Sequence, residues 1–144
     1  MDDLYLSIKG IIDPSLPLVS NLSNISALLF KMKDLNWAGF YLVEEDFLYL
    51  GPFQGDVACT IIKYGKGVCG TAFKKKKTIV VDDVNSFPGH IACSSLSKSE
   101  IVTPIIKDGN VVAVIDIDSP IYCRFEERDK KLLERIAELI APLF

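Results

Sequence analysis

The sequence predicts an α/β protein of the α+β type, with a central antiparallel sheet flanked by N- and C-terminal helices. Three observations predict it: helical periodicity concentrated at the two ends, aromatic and β-branched runs between them, and joints between those runs mostly too short for helical crossovers. At 144 residues, 49% of them hydrophobic, the chain has the length of one ordinary domain, 1–144, able to bury a core without staples.

Leu18, Leu22, Ile25, Leu29 and Met32 recur at steps of four and three, so one stripe of a first main helix is buried. Trp37–Val43 and Phe47–Leu50, separated by the acidic stretch 44–46, read as a hairpin. A short helix has room after Gly70, and Thr78–Val81 reads as a short strand. Ile101–Ile106 and Val111–Ile117 flank Asp108-Gly109, a dipeptide suited to a tight hairpin turn, and Pro104 is expected to disturb the first of these strands. Leu132, Leu133, Ile136, Ile140 and Leu143 form one face of a final helix whose start is favoured by Glu126, Glu127 and Asp129. The terminal helices should therefore pack on one face of the sheet. The segment from Asp82 to Ser99 is long for a connection in a compact domain, and such segments are often binding elements.

Charge and hydropathy exclude several functions. The net charge is −3 and the pI is near 5.1, and the sole cationic run, Lys74–Lys77, reads as a solvated face, so no nucleic-acid partner is expected. No apolar run approaches the roughly 18 residues of a membrane span, and the acidic start lacks the features of a signal peptide. A cytoplasmic protein with no membrane partner is the expectation, in which Cys59, Cys69, Cys93 and Cys123 are kept reduced unless they carry chemistry.

The stretch GKGVCG, 65–70, satisfies G-x-G-x-x-G, but a dinucleotide fingerprint also requires a full helix after it and an acid about twenty residues on. Here the lysine run intervenes and Asp82 and Asp83 come too early. The glycines instead permit a sharp turn and a close approach. Cys123 reads as a small, partly buried residue, whereas Cys59, Cys69 and Cys93 each lie in or beside turn-forming stretches that let a thiol meet solvent or substrate. His90-x-x-Cys93 has zinc-like spacing that Cys59 and Cys69 could complete, but no C-x-x-C knuckle supports it, and His90 reads more simply as a turn residue bonded to backbone.

Period-two geometry places Val112, Val114, Asp116 and Asp118 on one strand face and Ala113, Ile115 and Ile117 on the other. Acids that continue an apolar row suggest a strand passing from packed core into a polar pocket, since an unpaired buried charge is costly. Glu100 opens the preceding strand. Trp37, Gly39 and Tyr41 share a face of the first strand and should form an aromatic-sided notch.

NWAGFYL (36–42), LGPFQG (50–55), VAC (57–59), GKGVCG, PGHIAC (88–93), SEIVTP (99–104) and VIDIDS (114–119) together resemble the free methionine-(R)-sulfoxide reductases, which are GAF-domain proteins. The resemblance covers about Asn36 to Ser119. It implies a GAF-like central antiparallel sheet and reduction of free rather than protein-bound methionine (R)-sulfoxide. By motif, it gives Cys93 the role of nucleophile, Cys69 and Cys59 resolving or recycling roles with Cys69 marginally preferred, Glu100, Asp116 and Asp118 substrate binding, and Trp37 and Tyr41 the methyl sulfide end. Ser94 departs from the aspartate expected after the nucleophile.

The implied chemistry forms a sulfenic acid on Cys93, then an intramolecular disulfide reduced by thioredoxin or a similar dithiol, and calls for no metal or organic cofactor. Family habit adds a possible homodimer. Three carboxylates near a thiol oppose its ionisation; the substrate's ammonium should offset them, while mutual repulsion keeps one acid protonated for the leaving oxygen. Two other classes compete. A small-molecule-sensing GAF module needs an output domain for which this length leaves no room, and a zinc-stabilised interaction domain should carry stoichiometric metal.

Overall fold

Two hairpins build the sheet. In the first, β1 (Trp37–Glu44) returns as β2 (Phe47–Gly55) through Glu45 and Asp46, with Glu45 at φ 57°. In the second, β5 (Ser99–Lys107) returns as β6 (Asn110–Ser119) through Asp108 and Gly109, whose φ values of 53° and 80° are the left-handed pair a two-residue turn requires. β1 pairs antiparallel with β6, which fuses the hairpins, and two three-residue strands, β3 (Ile61–Lys63) and β4 (Ile79–Val81), finish the edges in the order β3-β2-β1-β6-β5-β4. This computed structural model describes residues 2–90 and 96–144.

One sheet face is apolar and carries α1 (Asp2–Ile11), α2 (Leu18–Leu29) and α4 (Glu127–Ile140), as the terminal periodicity predicts. Ala38 and Phe40 of β1, Ile101 and Ile105 of β5, and Ala113, Ile115 and Ile117 of β6 meet Leu22, Ile25, Leu133 and Ile136 there, all buried. The start of α4 is fixed by a reciprocal capping box: Glu126 accepts from the N3 backbone and the Glu126 N–H donates to Asp129 Oδ2 at 2.8 Å. Each fully buried aliphatic side chain of this layer contributes roughly 1.5–3 kcal/mol relative to exposure, so this face carries much of the fold's stability.

The opposite face carries α3 (Gly67–Lys75), which packs Val68, Ala72 and Phe73 against Trp37, Tyr41, Val102 and Val114. The short helix expected after Gly70 therefore begins earlier, inside GKGVCG. Gly65 and Gly67 stand at φ 80° and 63°, and a Cβ on Gly70 would lie 2.6 Å from the Lys63 carbonyl oxygen. Those glycines serve turning and close approach, in line with the non-nucleotide reading.

Several local expectations are corrected. Pro104 leaves β5 intact because β4 pairs only as far as Val102, so the missing N–H falls beyond the last rung of that edge. The period-two reading of β6 holds from Ala113 to Asp118 but fails at Val112, which packs on the helical layer with Ala113; the β5–β6 register shifts between Ile105 and Ile106. α1 is unanticipated, although Leu4, Ile8 and Ile12 recur at steps of four, because exposed Leu6 and Ile11 blur the stripe. β3 escapes as well, since three residues with only Ile62 buried show no period. Among the described residues, no helix is long and apolar enough to cross a membrane.

The notch over Gly39 is filled. A Cβ there would lie 2.3 Å from Phe53 Cβ, 2.7 Å from Phe53 Cα and 2.8 Å from the Pro52 carbonyl oxygen, all on a neighbouring strand that cannot swing aside. Gly39→Ala is expected to cost about 1–3 kcal/mol through overpacking, measured as a lower urea midpoint at unchanged slope; an unchanged midpoint contradicts the close approach.

Candidate active site

Three adjacent strands lay the polar residues out as rungs. Trp37, Asp118 and Glu100 are successive partners across β1, β6 and β5, and one rung along come Gly39, Asp116 and Val102. The acids thus sit side by side on the α3 face of the sheet. Glu100, Asp116 and Asp118 retain only 6%, 6% and 9% exposure, which excludes frayed strand-end acids. The cleft they floor is partly open to solvent, and Trp37, Tyr41 and Val68 also line it.

The aromatic wall is stacked. Trp37 lies 5.9 Å from Tyr41 and 5.0 Å from Phe53 between ring centroids, with interplanar angles of 24° and 15°. Each polar tip is tied to the segment after β2: Trp37 Nε1 donates to the Asp56 carbonyl at 3.1 Å, and the Tyr41 hydroxyl donates to the Cys59 carbonyl at 2.9 Å. The rings belong both to the core on the α3 side and to the cleft. Phe53, which the sequence reading did not single out, backs the wall by stacking on Trp37 without lining the cleft itself.

Burial governs the electrostatics. Glu100 and Asp118 are pushed well above the ordinary carboxylate range, first by loss of solvent and then by repulsion from Asp116. Asp116 is raised less, because polar interaction with the neighbouring Glu100, Cys69 and Asp118 offsets part of the effect of burial. Mutual repulsion is therefore the smaller cause of protonation, and desolvation the larger. The Cys69 thiol is driven well upward by burial and then by Asp116 and Glu100. His90 is lowered by burial, against the pull of Asp116.

The cysteines separate. Cys69 sits in the first turn of α3, free and 4% exposed, on the wall of the cleft. It is sheltered from bulk solvent but lines the cleft, so of the expected access by solvent or substrate only the cleft side remains. Cys59 takes part in a disulfide. Cys123 is free and exposed with φ 55°, not partly buried as expected. Cys93 and Ser94 lie outside the described residues. His90 is in a turn, donating its backbone N–H to Phe87 at 3.1 Å, but its side chain also lines the cleft with Nε2 3.9 Å from Glu100 Oε1.

Comparison with known proteins agrees with this geometry. The GAF domain family matches residues 17–142. A free methionine-R-sulfoxide reductase of Saccharomyces cerevisiae is 51% identical, over 97% of this chain and 83% of its own; that of Escherichia coli is 43% identical, over 93% and 82%. The X-ray structure of the free methionine-R-sulfoxide reductase from Neisseria meningitidis in complex with its substrate superposes with a TM-score of 0.94 at 42% identity, over 99% of this chain and 87% of that one. This chain belongs to the free methionine-R-sulfoxide reductase family of GAF domains.

As a member of the free methionine-R-sulfoxide reductase family, the chain brings Trp37, Tyr41, Cys69, Glu100, Asp116 and Asp118 to one cleft, and Cys59 reaches its edge through the Tyr41 hydrogen bond. The sequence reading did not pick out Lys66, Ser97 or Ile62, which also line it. Lys66 lies inside GKGVCG, but nothing in the local pattern of Ser97 marks it.

The raised acids set the sign of a pH effect. Between the ordinary carboxylate value, about 4, and the raised folded values, the folded state keeps protons that the unfolded chain has released. Stability therefore falls as pH rises through that interval, with a limiting slope of about 1.4 kcal/mol per pH unit for each such group. Urea midpoints between pH 5 and 7.5 should fall for the wild type and fall less for Glu100→Gln; parallel profiles refute a buried protonated Glu100.

Proposed function

We propose that this chain reduces free methionine (R)-sulfoxide to methionine, using thiols and no bound cofactor. The observation that carries the reading is the cleft itself: three buried carboxylates beside a stacked aromatic wall, in a chain whose relatives of about half-identical sequence include reductases of that name. The acids suit an ammonium group and a sulfoxide oxygen, and the rings suit a methyl sulfide end.

In the proposed reaction, the Cys93 thiolate attacks the sulfoxide sulfur and the S–O bond breaks. Attack forms a bond from the Cys93 sulfur to the substrate sulfur while the protonated oxygen leaves as water. Water then attacks the Cys93 sulfur, the S–S bond breaks, methionine leaves with its sulfur reduced by two electrons, and Cys93 remains as a sulfenic acid. Burial holds protons on the acid cluster, with Glu100 and Asp118 the more strongly raised, and one of these serves the oxygen as it leaves. The substrate's ammonium offsets the charge that remains on Asp116.

The resolving role is assigned to Cys59. It is already engaged in a disulfide, and its carbonyl is anchored to the cleft through Tyr41. Cys69, by contrast, is sheltered and holds its proton tightly, which suits a wall residue better than a thiol that must reach a sulfenic acid. Condensation of the Cys59 thiol with the Cys93 sulfenic acid releases water, and an external dithiol such as thioredoxin returns both thiols by exchange. A cytoplasmic setting, one domain over 1–144 and a homodimer complete the proposal.

Racemic free methionine sulfoxide with dithiothreitol should be depleted of its R epimer alone; equal survival of both epimers rejects the function. Cys93→Ser should abolish even a single turnover. Cys59→Ser should form about one equivalent of methionine per protein and then stall with thioredoxin, while Cys69→Ser should continue to cycle. If Cys69→Ser stalls and Cys59→Ser cycles, the two assignments exchange.

A further inference from the structure

The buried donors of the cleft exceed what an amino-acid ligand requires. The Cys69 sulfur and one carboxylate oxygen each of Glu100 and Asp116 lie within 4.8 Å of one another, and all three residues are buried. Asp116 is 6% exposed, and its Oδ1 is buried without a hydrogen-bond partner among the described residues. A buried unpaired carboxylate oxygen is expensive unless something positive or protic meets it. Helix α3, β5 and β6 hold the three donors on separate packed elements, so the cluster is built into the fold.

We propose that Cys69, Glu100 and Asp116 form a site for a thiophilic divalent cation of the zinc type, which competes with the amino-acid ligand for the same carboxylates. Magnesium and calcium fit poorly, because they take six or more oxygen ligands and no sulfur. Zinc accepts one thiolate and two carboxylates with a fourth position left to water. Its bonds of about 2.3 Å to sulfur and about 2.0–2.2 Å to oxygen put tetrahedral ligand atoms roughly 3.5 Å apart, so donors within 4.8 Å of one another need to close by at most about 1.3 Å. His90 lies outside this donor group, with Nε2 3.9 Å from Glu100 Oε1.

Binding breaks the S–H bond of Cys69 and the O–H bond of Glu100 and forms metal–sulfur and metal–oxygen bonds; both protons pass to solvent and no electron moves. The ion acts as an inhibitor rather than a cofactor. It takes up the negative charge that would otherwise receive the ammonium, and it does not require Cys59, which is engaged in its disulfide while Cys69 is free.

The test uses the full chain in its oxidised form, with the exposed thiol removed by Cys123→Ser, titrated with cobalt(II) chloride alone. A thiolate-to-cobalt charge-transfer band should grow to one equivalent, vanish in Cys69→Ser and need at least about tenfold more cobalt in Asp116→Asn. Circular dichroism of both variants should match the parent, and cobalt should raise the melting temperature of the parent but not of Cys69→Ser. Free methionine should bleach the band, and zinc should displace cobalt. No band, or a band that survives in Cys69→Ser, overturns the site. A Cys69-dependent band that methionine leaves unchanged overturns the competition. A protein that binds cobalt in this way but lacks sulfoxide reduction retains the site and loses only the proposed function, so the two failures are distinguishable.

Discussion

The burial of three neighbouring carboxyl groups is the constraint around which this protein is arranged. Adjacent rungs of β1, β6 and β5 put Glu100, Asp116 and Asp118 within each other's fields and out of water. Such a cluster persists only if protons, hydrogen bonds or a cation hold it. The apolar layer formed by α1, α2 and α4 on the other face supplies the stability that tolerates it. Structure and chemistry are thus divided between the two faces of one sheet: strand residues of one parity support the fold, and those of the other support the cleft.

Helix α3 closes that cleft and sets its depth. Its approach depends on backbone conformations that only glycine adopts readily, at Gly65 and Gly67, and on the missing side chain of Gly70 against the Lys63 carbonyl. A motif that superficially suggests phosphate binding is here a packing device that lowers a helix onto a sheet and presents Cys69 to the acids. Its lysine tail ends the helix, with Lys76 in the left-handed conformation as C-cap.

Where residues obey a strong local period, the sequence was legible. The alternation of Ala113, Ile115 and Ile117 with Val114, Asp116 and Asp118 predicts the two faces of β6, and Asp108-Gly109 predicts its turn. Legibility ends where long-range packing decides. Val112 changes sides because the ladder slips at Ile105, and Gly39 is occupied from across the sheet by Phe53, neither of which is encoded nearby. Asp116 and Asp118 were identifiable by their place in an apolar row, and Glu100 only by its place at the start of the preceding strand and by family resemblance. The different roles proposed for Cys59 and Cys69 rest on one being oxidised and the other sheltered on a helix, and no spacing in the chain contains that.

The two hydrogen bonds from Trp37 and Tyr41 to the carbonyls of Asp56 and Cys59 fasten a segment without regular structure to a rigid strand. Ring position and sulfur position are thereby one mechanical variable. A lineage that reshapes the aromatic wall to admit a bulkier guest also moves the cysteine next to it, so in the proposed enzyme substrate range and regeneration would have to evolve together.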